Sequence, residues 1–203
     1  TVLSQLMYDK ATSGYLTLPQ AIDELKSTTY IRTVKDVLAR AAGIPADNKT
    51  GLADFLVNSI MEADPDARRD SVARKVRSWL SGDVRSISKE SAILLAFALK
   101  LSLAQANELL LQLCEESFHW RDPQELVYIF ALYHSMSYLE ALELYRSICD
   151  DTAADVADDS EKFTGDVEYE MRYIDTEEEL RQYILSHSGQ LGTLHNTAYS
   201  VFS

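Results

Sequence analysis

The sequence predicts a mainly α fold, a compact helical bundle that carries a repeated αα-hairpin. Three observations lead there. Apolar residues recur at spacings of three and four through most of the chain, the period of a helix with one buried face. Several of these stretches open on Ser, Thr or Asp followed three residues later by Asp, Glu or Gln, the pattern that caps a helix N-terminus. Only 7 Gly and 4 Pro interrupt 203 residues. Hydrophobic content of 46% and charged content of 25% are ordinary globular values.

Residues 1–48 read as an N-terminal helical segment. Thr17-Leu18-Pro19-Gln20 signals a helix start, with Leu18, Ile22 and Leu25 on one face. A short β-prone run follows at residues 27–32. Thr33 with Asp36 caps a helix bearing Val34, Val37, Leu38 and Ala41, which Gly43 closes. Residues 49–149 form the predicted helical core. Leu52, Phe55, Leu56 and Ile60 make a helical stripe, and Asp64-Pro65 is the next start signal. Residues 71–81 place Val72, Val76, Trp79 and Leu80 on one face and Arg74, Lys75, Arg77 and Ser78 elsewhere. Ser88 opens a helix whose residues 93–99 are apolar nearly all round, so it is expected to be the central buried one. Ser102 with Gln105, Asp122-Pro123 with Glu125, and Ser137 with Glu140 open three more.

Residues 150–165 are read as an acidic linker, and residues 166–203 as a C-terminal strand and helix segment. Val167, Tyr169, Met171 and Tyr173 alternate with Glu168, Glu170 and Arg172, a period of two that predicts a strand. A lone strand is unstable. Its evident partner is the β-prone run at residues 28–32, so a small two-stranded ribbon joining the two ends of the chain is expected. Thr176 with Glu179 then caps a helix, and a last one is expected from about Leu191 to Phe202.

Two of the hairpins look alike. Phe97-Ala98-Leu99 recurs as Phe130-Ala131-Leu132, 33 residues on. Ser102 with Gln105 recurs 35 residues on as Ser137 with Glu140, as do Ala106 and Leu109 in Ala141 and Leu144. The mismatch predicts a second turn two residues longer. A period of about 34 resembles the tetratricopeptide repeat, without its Trp-Leu-Gly-Tyr consensus.

Catalytic and metal motifs are missing from the sequence. Neither GxxxxGK[ST], GxGxxG nor GxSxG occurs. His119, His134, His187 and His195 have no zinc spacing. Asp150, Asp151, Asp155, Asp158 and Asp159 lack the central Gly and terminal Glu of a calcium loop. No enzyme activity, cofactor or metal is therefore expected. Cys114 and Cys149 read as reduced, partly buried thiols. No apolar run approaches the ~20 residues of a membrane span, and no basic-then-apolar leader opens the sequence. A cytoplasmic protein with no membrane role is expected.

Net charge is −13, with 19 basic and 32 acidic residues. Taken whole, that figure opposes nucleic-acid binding. Its distribution says otherwise. Between Arg68 and Lys89 stand seven basic residues (Arg68, Arg69, Arg74, Lys75, Arg77, Arg85 and Lys89) against Asp70 and Asp83, a local +5 within a −18 remainder. Residues 150–179 hold 13 acidic and two basic residues. The basic island coincides with the amphipathic helix at residues 71–81.

Val76-Arg77-Ser78-Trp79-Leu80-Ser81-Gly82 resembles the end of the recognition helix in phage-repressor-like helix-turn-helix proteins of the xenobiotic-response-element type. There an aliphatic residue, a polar pair, an aromatic and a terminal Gly close the third helix. Residues 88–99, Leu101-Ser102-Leu103 and residues 106–110 resemble the family's fourth and fifth helices. Arg121-Asp122-Pro123 through Leu144 resembles a hairpin appended to helix-turn-helix proteins of Gram-positive gut bacteria and their mobile elements. His195-Asn196-Thr197-Ala198-Tyr199 resembles their tails. The resemblance covers about residues 52–148. It implies a repressor-like helix-turn-helix core and a cytoplasmic bacterial DNA-binding transcriptional regulator.

Arg74, Lys75, Arg77 and Ser78 would then lie in or beside the major groove of double-stranded DNA. Arg68, Arg69, Arg85 and Lys89 would hold phosphates, and Trp79 would anchor the core. The hairpins and C-terminal part would form a homodimer or meet a protein partner. One departure is plain. About eight residues separate Glu62 from Ser71, where the family has a turn of three or four, and Asp64, Asp66 and Asp70 occupy this degenerate turn and its approach. That departure also fits an alternative, a helical protein-interaction module on a repressor-like scaffold that has lost DNA binding.

Overall fold

The computed structural model describes residues 33–151, 164–187 and 191. Nine helices and no strand occur among them. They are α1 (Val34–Ala42), α2 (Lys49–Ala63), α3 (Arg69–Trp79), α4 (Lys89–Ala98), α5 (Leu103–Cys114), α6 (Pro123–Tyr133), α7 (Tyr138–Asp151), α8 (Thr164–Met171) and α9 (Glu177–Ser186). The expected helix from Thr17, the β-prone run, most of the acidic linker and the last helix lie outside the described residues.

Most caps fall where the sequence places them; the expected start at Asp64-Pro65 does not, for the next helix opens only at Arg69. Thr33 and Asp36 close a reciprocal box at α1, Ser102 and Gln105 at α5, and Thr176 and Glu179 at α9. Each box satisfies two amides that the helix itself leaves unpaired. Asp122 caps α6 ahead of Pro123, whose missing N–H costs nothing at the first position. Gly43 ends α1 with φ of +66°, a conformation open to glycine at little cost.

α2 lies beside α1, α3 and α4; α4 pairs with α5, and α6 with α7. α1 reaches across to α5, where Arg40 hydrogen-bonds Gln112. α9 closes over α6 and α7. Arg181 donates to the Ser147 carbonyl at 3.0 Å and to its hydroxyl at 2.7 Å. Val34, Val37 and Leu38 therefore belong to the core. The central position is shared. In α6 all seven residues from Leu126 to Leu132 are buried, whereas Leu94 of α4 is partly exposed. Phe97, Tyr128 and Tyr138 join α4, α6 and α7, with ring centroids 5.5–6.0 Å apart.

The two similar hairpins turn identically. Leu101 N–H donates to Ala96 at 3.0 Å, and Met136 N–H to Ala131 at 2.9 Å. The residue before each, Lys100 or Ser135, has a positive φ (53° and 56°). This is the Schellman closure followed by an N-cap serine. The structural offset is 35 from the end of the first helix through the turn to the start of the next, so the second turn is no longer than the first. The repeated Phe-Ala-Leu string is out of register by two: Leu95, not Phe97, corresponds to Phe130.

The strand expected over residues 167–173 is a helix. Val167 and Met171 stand four apart and are 3% and 2% exposed, while Tyr169 and Tyr173, also four apart, are 61% and 66% exposed. Two opposite helical faces, each carrying an i, i+4 apolar pair, imitate a period of two. Arg172 pairs with Glu168 at 2.9 Å, and the Tyr169 and Tyr173 rings meet at 5.1 Å, both contacts typical of helical spacing. With one partner helical and the other outside the described residues, the β ribbon is not formed here.

Candidate nucleic-acid interface

Five residues, 64–68, connect α2 to α3, fewer than the eight read from the sequence. α3 starts two residues earlier than expected because Arg69 and Asp70 already take helical conformations. No side chain caps it; instead Arg69 Nη2 donates to Asn58 Oδ1 of α2 at 2.8 Å, pinning the start of α3 to its neighbour.

One face of α3 holds Val72, Val76 and Trp79, all buried, so Trp79 is the expected core anchor. The other face is solvent. Asp70, Arg74, Arg77 and Ser78 follow at spacings of four, three and one along it, all exposed, with Lys75 at its flank. Arg68 and Arg85 are exposed at either end of α3. Among the described residues, Arg68, Arg74, Lys75, Arg77 and Arg85 form no ion pair or hydrogen bond. A cleft of about 250 Å³ runs beside α3, lined by Arg68, Ser71, Lys75 and Trp79 together with Ser91 and Leu94 of α4. Gly82, with φ of +94°, turns the chain away after the helix.

Lys89 does not belong to this face. Its side chain is 11% exposed, with Nζ 2.7 Å from Glu125 Oε1 and 3.5 Å from Glu116 Oε2. Glu125 is 12% exposed, and its other oxygen accepts the His119 N–H at 2.7 Å. The expected phosphate contact is thus an internal tie between α4 and α6. One local signal hints at it. Lys89 is the first residue of α4, against the positive end of the helix dipole, where a cation is disfavoured without an anion nearby. Sequence spacing gave no means of naming Glu125, 36 residues away.

The three carboxylates of the approach separate. Asp64 ends α2 and is half-buried, its charge felt by Tyr138 on the hairpin side. Asp66 is exposed in the turn; Asp70 alone stands on the α3 face.

A second concavity, about 1090 Å³, opens between the end of α2 and the two hairpin turns. Phe97, Leu101, Trp120, Leu132, Met136 and Tyr138 line it, and Lys100 pairs with Glu62 at its rim (3.0 Å). Sequence reading did not single it out, because its walls come from six helices and the loops between them. Cys114 and Cys149 are half-buried thiols that form no disulfide. Burial raises the pKa of the Cys114 thiol, which makes it a poor nucleophile. No cluster of three or more metal-binding side chains occurs among the described residues. None of their helices is long and apolar enough to cross a membrane.

No family model matches this chain, and no curated protein or solved structure matches it.

Proposed function

We propose that the chain is a DNA-binding transcriptional regulator that enters the major groove of double-stranded DNA with α3. The observation that carries this reading is the α3 face itself. Arg74, Lys75, Arg77 and Ser78 are exposed and have no partner among the described residues, on a helix whose opposite face is buried, in a chain of net charge −13. Without the paired Lys89, six cations against Asp70 and Asp83 leave a local +4, and an acidic protein that keeps such a patch without ion pairs among its described residues has a use for it. The five-residue link to α2 brings the pair closer to the turn of a repressor-like helix-turn-helix than the sequence implied. Arg68, Arg69 and Arg85 border the face and would hold phosphates, while Lys89 is committed elsewhere. The reading carries with it a cytoplasmic protein of bacterial or mobile-element origin that acts without cofactor, most simply as a homodimer on a two-fold site.

The test is fluorescence anisotropy with duplex DNA between about 50 and 200 mM salt. Four or five phosphate contacts give a slope of log K on log salt of roughly −4. Absence of binding at the low-salt end refutes the reading.

A second reading, a helical protein-interaction module, is favoured by the apolar groove between the hairpin turns and by the exposed tyrosines Tyr133, Tyr169 and Tyr173. Pull-downs that survive Arg74→Glu with Arg77→Glu but fail with Tyr133→Ala would support it over the first.

A further inference from the structure

The exposed stripe of α3 is not purely cationic. Asp70 lies in the first helical turn, four residues before Arg74 and on the same face. Opposite charges at this spacing ordinarily pair on a helix surface. Here they do not: among the described residues Asp70 makes no ion pair or hydrogen bond, although Arg68, Arg69, Arg74 and Arg77 are all near it in sequence. Arg69, the adjacent cation, is turned away to Asn58. A carboxylate without a partner among the described residues, at the N-terminal end of a basic face, weakens attraction to any polyanion. It is therefore poorly placed for phosphate contact.

Base edges differ from phosphates in offering donors. In the major groove, cytosine presents the N4 amino group and no acceptor of its own, whereas guanine presents only acceptors and thymine an acceptor beside a methyl group. A carboxylate among these edges is stabilised by the first and left desolvated and repelled by the others. Discrimination of this kind works by exclusion as much as by attraction. The N-terminal residues of a recognition helix are the ones that reach base edges, and Asp70 is the second residue of α3.

From this we infer that Asp70 is the specificity-determining residue of the α3 face and selects cytosine at one position of the bound duplex. Arg74, the next residue on the stripe, takes a guanine nearby through its O6 and N7. Four residues of helix advance about 6 Å, and base pairs are spaced about 3.4 Å apart, so that guanine lies within about two steps of the cytosine. The inference rests on the reading of α3 as a major-groove helix.

Selection of bound sequences from a randomised duplex library tests it, using the full chain and its Asp70→Asn and Asp70→Ala variants, each checked for native helicity by circular dichroism. The wild-type chain is expected to enrich cytosine at one position by roughly ten-fold over other bases. Asp70→Asn is expected to shift that position toward adenine, whose N6 and N7 an amide can bridge. Asp70→Ala is expected to lose the preference there, keep it elsewhere, and bind random duplex more tightly than wild type. Identical selected motifs from all three chains overturn the inference and leave DNA binding standing. If the wild-type chain binds no duplex at about 50 mM salt, the inference and the reading beneath it both fall.

Discussion

Lys89→Met removes a cation from a site where two carboxylates converge. Glu125 is 12% exposed and 2.7 Å from the ammonium; Glu116 is 3.5 Å away and about half exposed. Removing one partner of a buried ion pair costs about 3–5 kcal/mol, because the other charge stays buried without compensation. Glu125 retains the His119 amide at 2.7 Å, which places the loss near the lower end, about 3 kcal/mol. For a chain of this length that corresponds to a melting temperature lower by roughly 6–12 °C. Urea and thermal unfolding followed by circular dichroism measure it. The double substitution Lys89→Met with Glu125→Met is expected to recover most of the loss, since replacing both charges by apolar groups of similar size is near neutral. A single substitution within about 0.5 kcal/mol of wild type, combined with a shallower salt dependence of DNA binding, would refute the assignment and return Lys89 to the phosphate-binding set.

Three further expectations follow from the geometry. Arg68→Ala and Arg85→Ala each reduce the salt slope of duplex binding by about 0.9 per lost phosphate contact, with unfolding midpoints unchanged because both side chains are exposed and form no ion pair or hydrogen bond among the described residues. Gly82→Ala lowers the urea midpoint by an amount corresponding to about 1 kcal/mol. The added methyl would meet no atom within 4 Å, so the cost comes from φ of +94° alone. The Asp175 amide, followed by the Thr176 hydroxyl and amide, holds the Glu179 carboxyl below its usual range. Its stabilisation is fully present above the ordinary carboxylate value of about 4.3 and is lost as pH falls through the lowered folded-state value. Urea midpoints between pH 6 and pH 3 check this, and Glu179→Gln should flatten that acid limb.

Local signals in the sequence proved legible to within two residues. Thr33 with Asp36, Ser102 with Gln105, and Thr176 with Glu179 start helices because each pair satisfies amides within one turn, an interaction that needs no distant partner. What depended on distance or on choice of period was not legible. Residues 167–173 satisfy a two-fold and a four-fold spacing at once, and only packing of Val167 and Met171 against the core decides between them. The Phe-Ala-Leu echo misled because similar strings fall at different depths of α4 and α6. At the candidate site, the orientation of Arg74, Lys75, Arg77 and Ser78 follows from the helical period. The withdrawal of Lys89 does not, because Glu116 and Glu125 belong to other elements.

The order in which helices find their neighbours has a consequence for how the chain acquires its structure. α2 with α3, α4 with α5, and α6 with α7 are consecutive partners joined by short connections. Such local closures form quickly and can proceed while synthesis continues. α1 is different. Its amide at Val34 donates to Val84, and its main packing neighbour is α5, which begins some sixty residues later. The helix made earliest among these nine starts its packing against α2 and completes it only once α5 is made. Until then its apolar face is what a nascent-chain chaperone would meet.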